Sequence, residues 1–389
     1  MFNVPKLRFG EFEGEYKEHL FNDIFLFSTG KNIKQKEASP EFETPCIRYG
    51  ELYHMYNEVV YKIINRTNLD KSELLFSQGN EILLPSAGED PLDIGSASAL
   101  TLKNIAIGRT INILRPKHKN IYSQKYVSYY INEKLKRKIS TLAKGSSISN
   151  VYNSDLKKLK IILPTLDEQQ KIDNFLTSID KKIEQLNQKR TLVESYKKGV
   201  MQKIFSQEIR FKCDDGGVFE DWEEKRLRDI LSYEQPTKYL VKSTNYSNDY
   251  KTPVLTAGKT FILGYTNEES GFYNNLPVII FDDFTTANHY VTFSFKIKSS
   301  AMKLLKAKSE EINLKFVYEI MKILHFSLGE HKRYWISEYS YLKIKLPQLE
   351  EQQKISNFLT SIDQKITQNN QALEEMKAFK KGLLQQMFV

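Results

Sequence analysis

The chain is poor in cysteine: Cys46 and Cys213 are the only two among 389 residues, and they fall in different halves. Thiols so placed make neither a metal-ligand spacing nor a disulfide framework, so a reducing cytosol is the expected compartment. The six histidines form no HxxxH pair, and no metal site is expected. No stretch approaches 18 apolar residues, and the opening MFNVPKLRFGEF has no apolar signal-peptide core. A chain that is neither exported nor membrane-spanning is therefore expected, in the cytoplasm. The D/N-P-P-Y/F turn that holds the target amine in amino-methyltransferases is missing, and Asn275-Leu276-Pro277-Val278 does not supply it. Gly258-Lys259-Thr260 ends like a phosphate loop, but Pro253 stands where a glycine is required. Proline removes an amide that would cradle phosphate, so a strand-connecting turn is expected there. Asp90, Asp93, Asp282 and Asp283 lack the lysine spacing of a nuclease centre.

What is abundant is positive charge. Lysine and arginine number 57 against 48 acidic residues, a formal charge of +9. That favours an anionic partner, nucleic acid first, without establishing one. At 40% hydrophobic and 27% charged residues the composition is that of a soluble globular protein, and the length calls for more than one core.

One stretch organises the rest. LPTLDEQQKIDNFLTSIDKKI, Leu163 to Ile183, returns as LPQLEEQQKISNFLTSIDQKI, Leu346 to Ile366, with 17 of 21 positions identical and an offset of 183 residues. The register continues through Lys198-Gly199 and Lys381-Gly382. Each copy closes a half whose preceding block does not repeat. The approach to each block is related as well: Arg8-Phe9 and Tyr16 in the first half, Arg210-Phe211 and Trp222 to Ile230 in the second.

Between these markers lie two variable blocks. In residues 26–155, strands are expected at 46–50, Leu74-Leu75-Phe76, 81–85, 105–107 and 111–114, with a helix over Tyr122 to Ile139. In residues 232–338, strands are expected at 254–256, 261–263, 278–281 and Tyr290 to Ile297. Asp282 to His289 is expected as a polar loop and Leu314 to Leu328 as a helix. Thr165 and Glu168 have the spacing of a capping box at the start of the first repeated helix.

Ile172, Ile179, Leu186, Val193 and Val200 recur every seven residues, and Leu176, Ile183 and Ile204 lie four further on. Ile355, Ile362, Asn369, Met376 and Leu383 repeat the stripe in the second copy. This is a coiled-coil seam. Leu186 is replaced by Asn369, and Arg190 by Leu373. A polar seam residue lowers stability but fixes register, so the two copies are expected to pair with each other. Each helix must return the chain to the next block, so antiparallel pairing is the simplest closure. Forty helical residues at ~1.5 Å each span roughly 60 Å. Blocks on such a spacer can reach one face of a duplex about one turn, ~34 Å, apart.

The repeated motif L-P-x-L-(D/E)-E-Q-Q-K-I-x-N-F-L-T-S-I-D, and the order of variable block and repeated helix, resemble the specificity subunits of type I restriction–modification systems. The first copy has Tyr16 where that family usually has a tryptophan. The resemblance implies an α+β chain with two mixed α/β target recognition domains in pseudo-twofold repeat, separated by two long helices forming an antiparallel coiled coil. It places the first recognition domain at 1–155, the first spacer helix at 156–209, the second recognition domain at 210–338 and the second spacer helix at 339–389. It further implies a non-catalytic chain in which each domain reads one half of a split, asymmetric double-stranded DNA site. The helices set the gap and dock two modification (methyltransferase) subunits, and two restriction (motor–nuclease) subunits join the larger complex. S-adenosylmethionine, ATP and Mg would be used by those other subunits, with no cofactor on this chain.

Base reading needs Arg, Lys, Asn, Gln, Ser or Thr on loops that reach the major groove, and most such contacts go to phosphate. In the first block the candidates are Lys31, Lys34, Lys36, Arg48, Ser86, Arg109, Lys144 and Ser146. In the second they are Lys242, Lys259, Thr285, Thr286, Asn288, His289, Lys332, Arg333 and Tyr334. For each residue singly, a solvated surface side chain is the plainer expectation. Two other functions remain open: a self-sufficient nuclease–methyltransferase, disfavoured by the missing motifs, and a coiled-coil scaffold that binds no DNA. The scaffold does not explain why two unlike blocks follow matching approaches.

Overall fold

The computed structural model describes residues 4–145, 148–256, 260–329 and 333–389. The chain divides into two compact units, residues 1–187 with 371–389, and residues 188–370.

In the first unit, a five-stranded sheet runs in the order Phe25–Thr29, Ile111–Pro116, Glu81–Pro85, Ser98–Leu100, Val59–Val60. Its middle strand, Glu81–Pro85, is buried along its whole length: the apolar run from Ile82 faces both sides of the core, and Glu81 is buried with Arg115 and the amides of Gln78 to Asn80 on its carboxylate. A four-stranded sheet takes Arg66–Thr67, Thr44–Ile47, Lys103–Ile107 and Phe76–Gln78. The Ser123 hydroxyl caps helix α1, Gln124–Tyr130, by accepting from the Tyr126 amide. A π-helical turn, Ile131–Leu135, and a last helical stretch, Lys136–Thr141, follow.

Two long helices carry the repeat: α2, Leu166–Phe205, and a second, Leu349–Met387. In the first unit, Ile172, Leu176 and Ile179 of α2 share one core with Tyr126, Tyr129 and Ile131, and with Leu383 and Met387 of the second long helix.

The second unit repeats the plan with shorter sheets. One runs Leu231–Glu234, Met302–Ala307, Val278–Asp282, Asn288–Val291, and the other Ile262–Thr266, Thr252–Leu255, Lys296–Ile297. Asn313 caps helix α3, Leu314–Met321, as Ser123 caps α1. The second long helix is α4. Its Ile355, Leu359 and Ile362 join Met201 and Ile204 of α2 in a core with Trp222, Phe316 and Val317.

Each unit ties its ends together. Lys17–Leu20 pairs antiparallel with Lys160–Leu163, and Glu223–Arg226 pairs antiparallel with Lys343–Leu346. The related approaches thus close onto the strands that lead into the repeated helices. The chain is α+β with two mixed domains and two long antiparallel helices, as the resemblance implies.

Several local expectations are corrected. Leu74 and Leu75 precede the strand Phe76–Gln78, because Asp70 accepts from the Ser72 amide and caps a 3-10 turn, Lys71–Glu73. The run from Tyr290 to Ile297 is two strands in different sheets, Asn288–Val291 and Lys296–Ile297. Asn288 and His289 therefore lie on a strand, and Asp282 ends the strand before it. Helix α3 stops at Met321 instead of Leu328. Phe326 packs its ring on Tyr334 and Tyr339, each 5.2 Å away, which a continued helix would not place there.

The capping box at Thr165 is half formed. The Glu168 amide donates to Thr165 Oγ1 at 3.4 Å, but the Glu168 carboxylate is engaged elsewhere. The apolar stripe is also more than a helix seam. Ile172 and Ile179 in one unit, and Ile355 and Ile362 in the other, are buried in the block cores, whereas Leu186, Val193, Val200 and Met376 are half-buried.

Candidate nucleic-acid interface

The repeated Glu-Gln pair, Glu168-Gln169 and Glu351-Gln352, is a latch between each block and its helix. Glu168 is fully buried, and Arg8 grips it with a fork: Nε donates to Oε1 and Nη2 to Oε2, both at 2.8 Å. The Tyr16 hydroxyl donates to the same Oε1 at 2.8 Å. In the second unit Arg210 grips buried Glu351 at 3.2 and 2.8 Å, and Trp222 Nε1 donates to Oε2 at 2.9 Å. Tyrosine and tryptophan are interchangeable here because each offers an apolar body and one donor at its tip. The hydrogen bonds from Arg8 and Arg210 to their glutamates, acting against a smaller burial penalty, raise both guanidinium pKa values.

The next residue holds the capped helix. Gln169 Oε1 accepts from the Ser123 amide at 2.9 Å, and its Nε2 donates to the Pro164 carbonyl at 2.9 Å. Gln352 accepts from the Asn313 amide and donates to the Pro347 carbonyl, both at 2.8 Å. The motif is thus structural: it fixes how a block of differing sequence sits on an unchanging helix.

A second device, absent from the sequence expectations, uses lysines that are buried (Lys197) or half-buried (Lys380). Lys380 bridges Asp180 of α2 and Glu58 of the first block, at 2.8 and 2.9 Å. Lys197 bridges Asp363 of α4 and Glu319 of α3, at 2.6 and 3.2 Å. Lys197 and Lys380, like Asp180 and Asp363, are separated by the repeat offset, which is the signal that finds them.

On the first block, loops of the two sheets converge. A Cβ on Gly30 would lie 1.9 Å from the Gly108 carbonyl oxygen, so glycine is required for the approach. The Lys31 amide donates to Ile107 O, and the Arg109 amide to Asn32 O. Asn32, Ile33 and Thr110 hold positive φ, at 52°, 55° and 67°. For the β-branched Ile33 and Thr110 this is strain sustained by the surroundings.

These loops place the candidates. Lys34, Arg48 and Arg109 line one cavity of about 270 Å³ together with Tyr49 and Glu51. Lys31 and Lys36 are exposed beside it in sequence. Ser86 and Lys144 are joined to one short segment instead: Ser86 O accepts from the Val151 amide, and Lys144 exchanges backbone bonds with Asn150. The Lys144 ammonium faces Asp155 at 3.3 Å.

On the second block, the turn between Val278–Asp282 and Asn288–Val291 carries Thr285 and Thr286, the latter at φ 58°. Asp282 Oδ1 accepts from the Phe284 and Thr285 amides and shapes the turn. Asn288 donates to the Thr286 carbonyl at 3.3 Å. His289 stacks on Phe261 at 4.1 Å, and burial lowers its pKa. Buried Asp283 ties the segment that begins at Arg333 to this turn, accepting from the Tyr334 amide on its carbonyl and the Trp335 amide on Oδ1. Arg333 is exposed, but the Tyr334 side chain is in the core, 2% exposed, where Phe326 packs on it. Tyr334 is therefore no surface contact. Lys242 is exposed, with its amide held by Glu268 at 2.8 Å. Ser146, Lys259 and Lys332 lie outside the described residues. Asp282 shapes the turn, Asp283 pairs with Lys303, and among the described residues no cluster suits a metal ion.

The sequence matches the family described as type I restriction modification DNA specificity domain over residues 14–195 and 219–378. The chain belongs to that family. Its specificity-subunit relatives include that of the type I restriction enzyme EcoR124I/EcoR124II of Escherichia coli, 55% identical over 136 residues. That match spans about a third of each protein, 34% of this chain and 33% of the relative. The specificity subunit of the type I enzyme MjaVIII of Methanocaldococcus jannaschii is 26% identical over 85% of this chain and 82% of its own length. Among solved structures, the type I S subunit of M. genitalium superposes with a TM-score of 0.70 at 19% identity, covering 99% of each chain, a likeness of fold. The two matched regions of this specificity subunit each take in a recognition block and most of a latched helix. No helix among the described residues is long and apolar enough to cross a membrane.

Proposed function

We propose that this specificity subunit reads a bipartite, asymmetric duplex DNA site, one half with each recognition block. The observation that carries it is the repetition of one latch, Arg8–Glu168–Tyr16 and Arg210–Glu351–Trp222, beneath two blocks of unlike sequence. A latch that does not change under blocks that do is the arrangement expected of interchangeable readers. The recognition domains occupy residues 1–155 and 210–338, and 156–209 and 339–389 form the spacers. Lys31, Lys34, Lys36, Arg48, Arg109, Lys242, Thr285, Thr286 and Arg333, on loops and turns, supply the phosphate and base contacts. The long helices set the unread gap and dock two modification subunits, with two restriction subunits completing the cleaving complex. The chain itself is non-catalytic and acts in the cytoplasm. S-adenosylmethionine, ATP and Mg serve the other subunits.

The test is co-expression with a type I modification subunit in a methylation-free host, followed by single-molecule mapping of N6-methyladenine. The expected result is one split motif with two short halves. Methylation by this chain without a partner would instead support the self-sufficient enzyme, and failure to bind duplex DNA with the partner present would support a scaffold.

A further inference from the structure

Arg48 differs from the other candidate cations in how it is held. Its Nε donates to Glu51 Oε1 at 2.9 Å, and that side chain is 2% exposed while the arginine keeps 22% of its surface. Buried Asn65 donates to the same Oε1 at 3.0 Å, so the carboxylate is itself anchored. Glu51 Oε2 has no hydrogen-bond partner among the described residues. With Nε engaged, the edge that Arg48 offers to the cavity is its two terminal nitrogens. The cavity wall is equally fixed, because the strained turns at Asn32–Ile33 and Thr110 are tied to the strands on either side. A lysine in this place would be a mobile point charge, whereas a buttressed guanidinium presents two parallel donors in one plane.

Resting on the reading that this block binds duplex DNA, we propose that Arg48 reads a guanine through the major groove, with Glu51 as its positioning residue. Of the four base edges, only guanine offers two adjacent acceptors, O6 and N7, to a donor pair. Adenine offers an acceptor beside a donor, thymine an acceptor beside a methyl, and cytosine a donor. Arg109, exposed on the same cavity with no carboxylate holding it among the described residues, takes a backbone phosphate.

The experiment uses the full chain assembled with its modification subunits and duplexes carrying the mapped site. Exchange of the first block identifies its half-site, and each guanine there is replaced in turn by 7-deazaguanine, which lacks N7. One position is expected to lose about tenfold in methylation kcat/KM with the unaltered chain. With Arg48→Gln, the methylation map is expected to relax at that base pair alone, and the 7-deazaguanine penalty there to vanish. Glu51→Gln is expected to shrink the penalty while leaving the salt dependence unchanged. Tolerance of 7-deazaguanine at every position overturns the inference, and this result is obtained without any variant. An Arg48→Gln assembly weakened uniformly, with its motif unchanged, also overturns it and marks a phosphate contact. A chain that directs no bipartite methylation at all overturns the DNA reading itself, which is a different outcome.

Discussion

Lys380 Nζ lies 2.8 Å from Asp180 Oδ1, and one repeat earlier Lys197 Nζ lies 2.6 Å from Asp363 Oδ1. Burial alone would depress both ammonium pKa values. Glu58 and Asp180 around Lys380, and Asp363 and Glu319 around Lys197, raise them instead. Each lysine therefore joins three elements: its own helix, the opposite helix and the recognition block. Replacing Lys380 with methionine leaves Asp180 and Glu58 facing each other with little water. A loss of roughly 2–4 kcal/mol is expected, moderated by the partial exposure of the site. Urea denaturation of Lys380→Met, and of the same change with Asp180→Asn, checks this. The double variant should be less destabilised than the sum of the two single ones.

The latch glutamates set up a second test. Tyr16→Phe removes the tyrosine hydroxyl bonded to buried Glu168, and Trp222→Phe removes the indole donor to Glu351. Each should cost about 1–2 kcal/mol, because a buried carboxylate oxygen loses a donor that water does not replace. Trp222→Tyr should cost less than Trp222→Phe where the hydroxyl can reach the carboxylate, as in the first unit. Paired chemical denaturation curves measure the differences.

Acid should loosen the loop that carries Lys242. Burial works to raise the Glu268 pKa. The hydrogen bond from Lys296 and the amides of Ser243 and Lys242 outweigh it and bring the value to about 2. The folded pKa is below the unfolded one near 4.5, so the contribution is present above pH 4.5 and is lost as pH falls towards 2. With one side of the carboxylate in solvent, it amounts to about 1–2 kcal/mol. Glu268→Gln should flatten the stability profile between pH 4.5 and 2, as followed by circular dichroism against pH.

The thiols should differ sharply in reactivity. Burial, with a smaller contribution from Glu51, pushes the Cys46 thiol up to about 12, and its side chain is inaccessible. Cys213 is partly exposed. A maleimide should label Cys213 in the native protein and Cys46 only after unfolding, and peptide mass spectrometry distinguishes the two.

The spacer makes a geometric prediction. Seven residues inserted after Gln188, with seven inserted at the matching place in α4, keep the seam in phase and add ~10 Å of helix. The unread gap should lengthen by about three base pairs, at ~3.4 Å each. An unchanged gap in the methylation map would show that the helices do not set the spacing.

The sequence by itself determined the duplication, the two long helices and their antiparallel pairing. These rest on a gapless repeat, a seven-residue period and the need of each helix to return the chain to the next block, all of which are read from the order of residues alone. It also determined the kinship of Tyr16 and Trp222, because an aromatic with one polar tip suits the same place. Only the tertiary structure decided what the motif residues do. Glu168 has the spacing of a capping residue, yet Arg8, 160 positions away, takes its carboxylate, and a fork of charged hydrogen bonds is stronger than one amide cap. Tyr334 read as a surface residue beside two basic neighbours, but Phe326, turned out of the helix path, covers it. The cavity that unites Lys34, Arg48 and Arg109 draws on three separate loops, and the buried Glu51 that aims Arg48 has no periodic signal at all. Period and propensity act over a few residues, whereas the partners of a buried charge are chosen by the packing of distant segments.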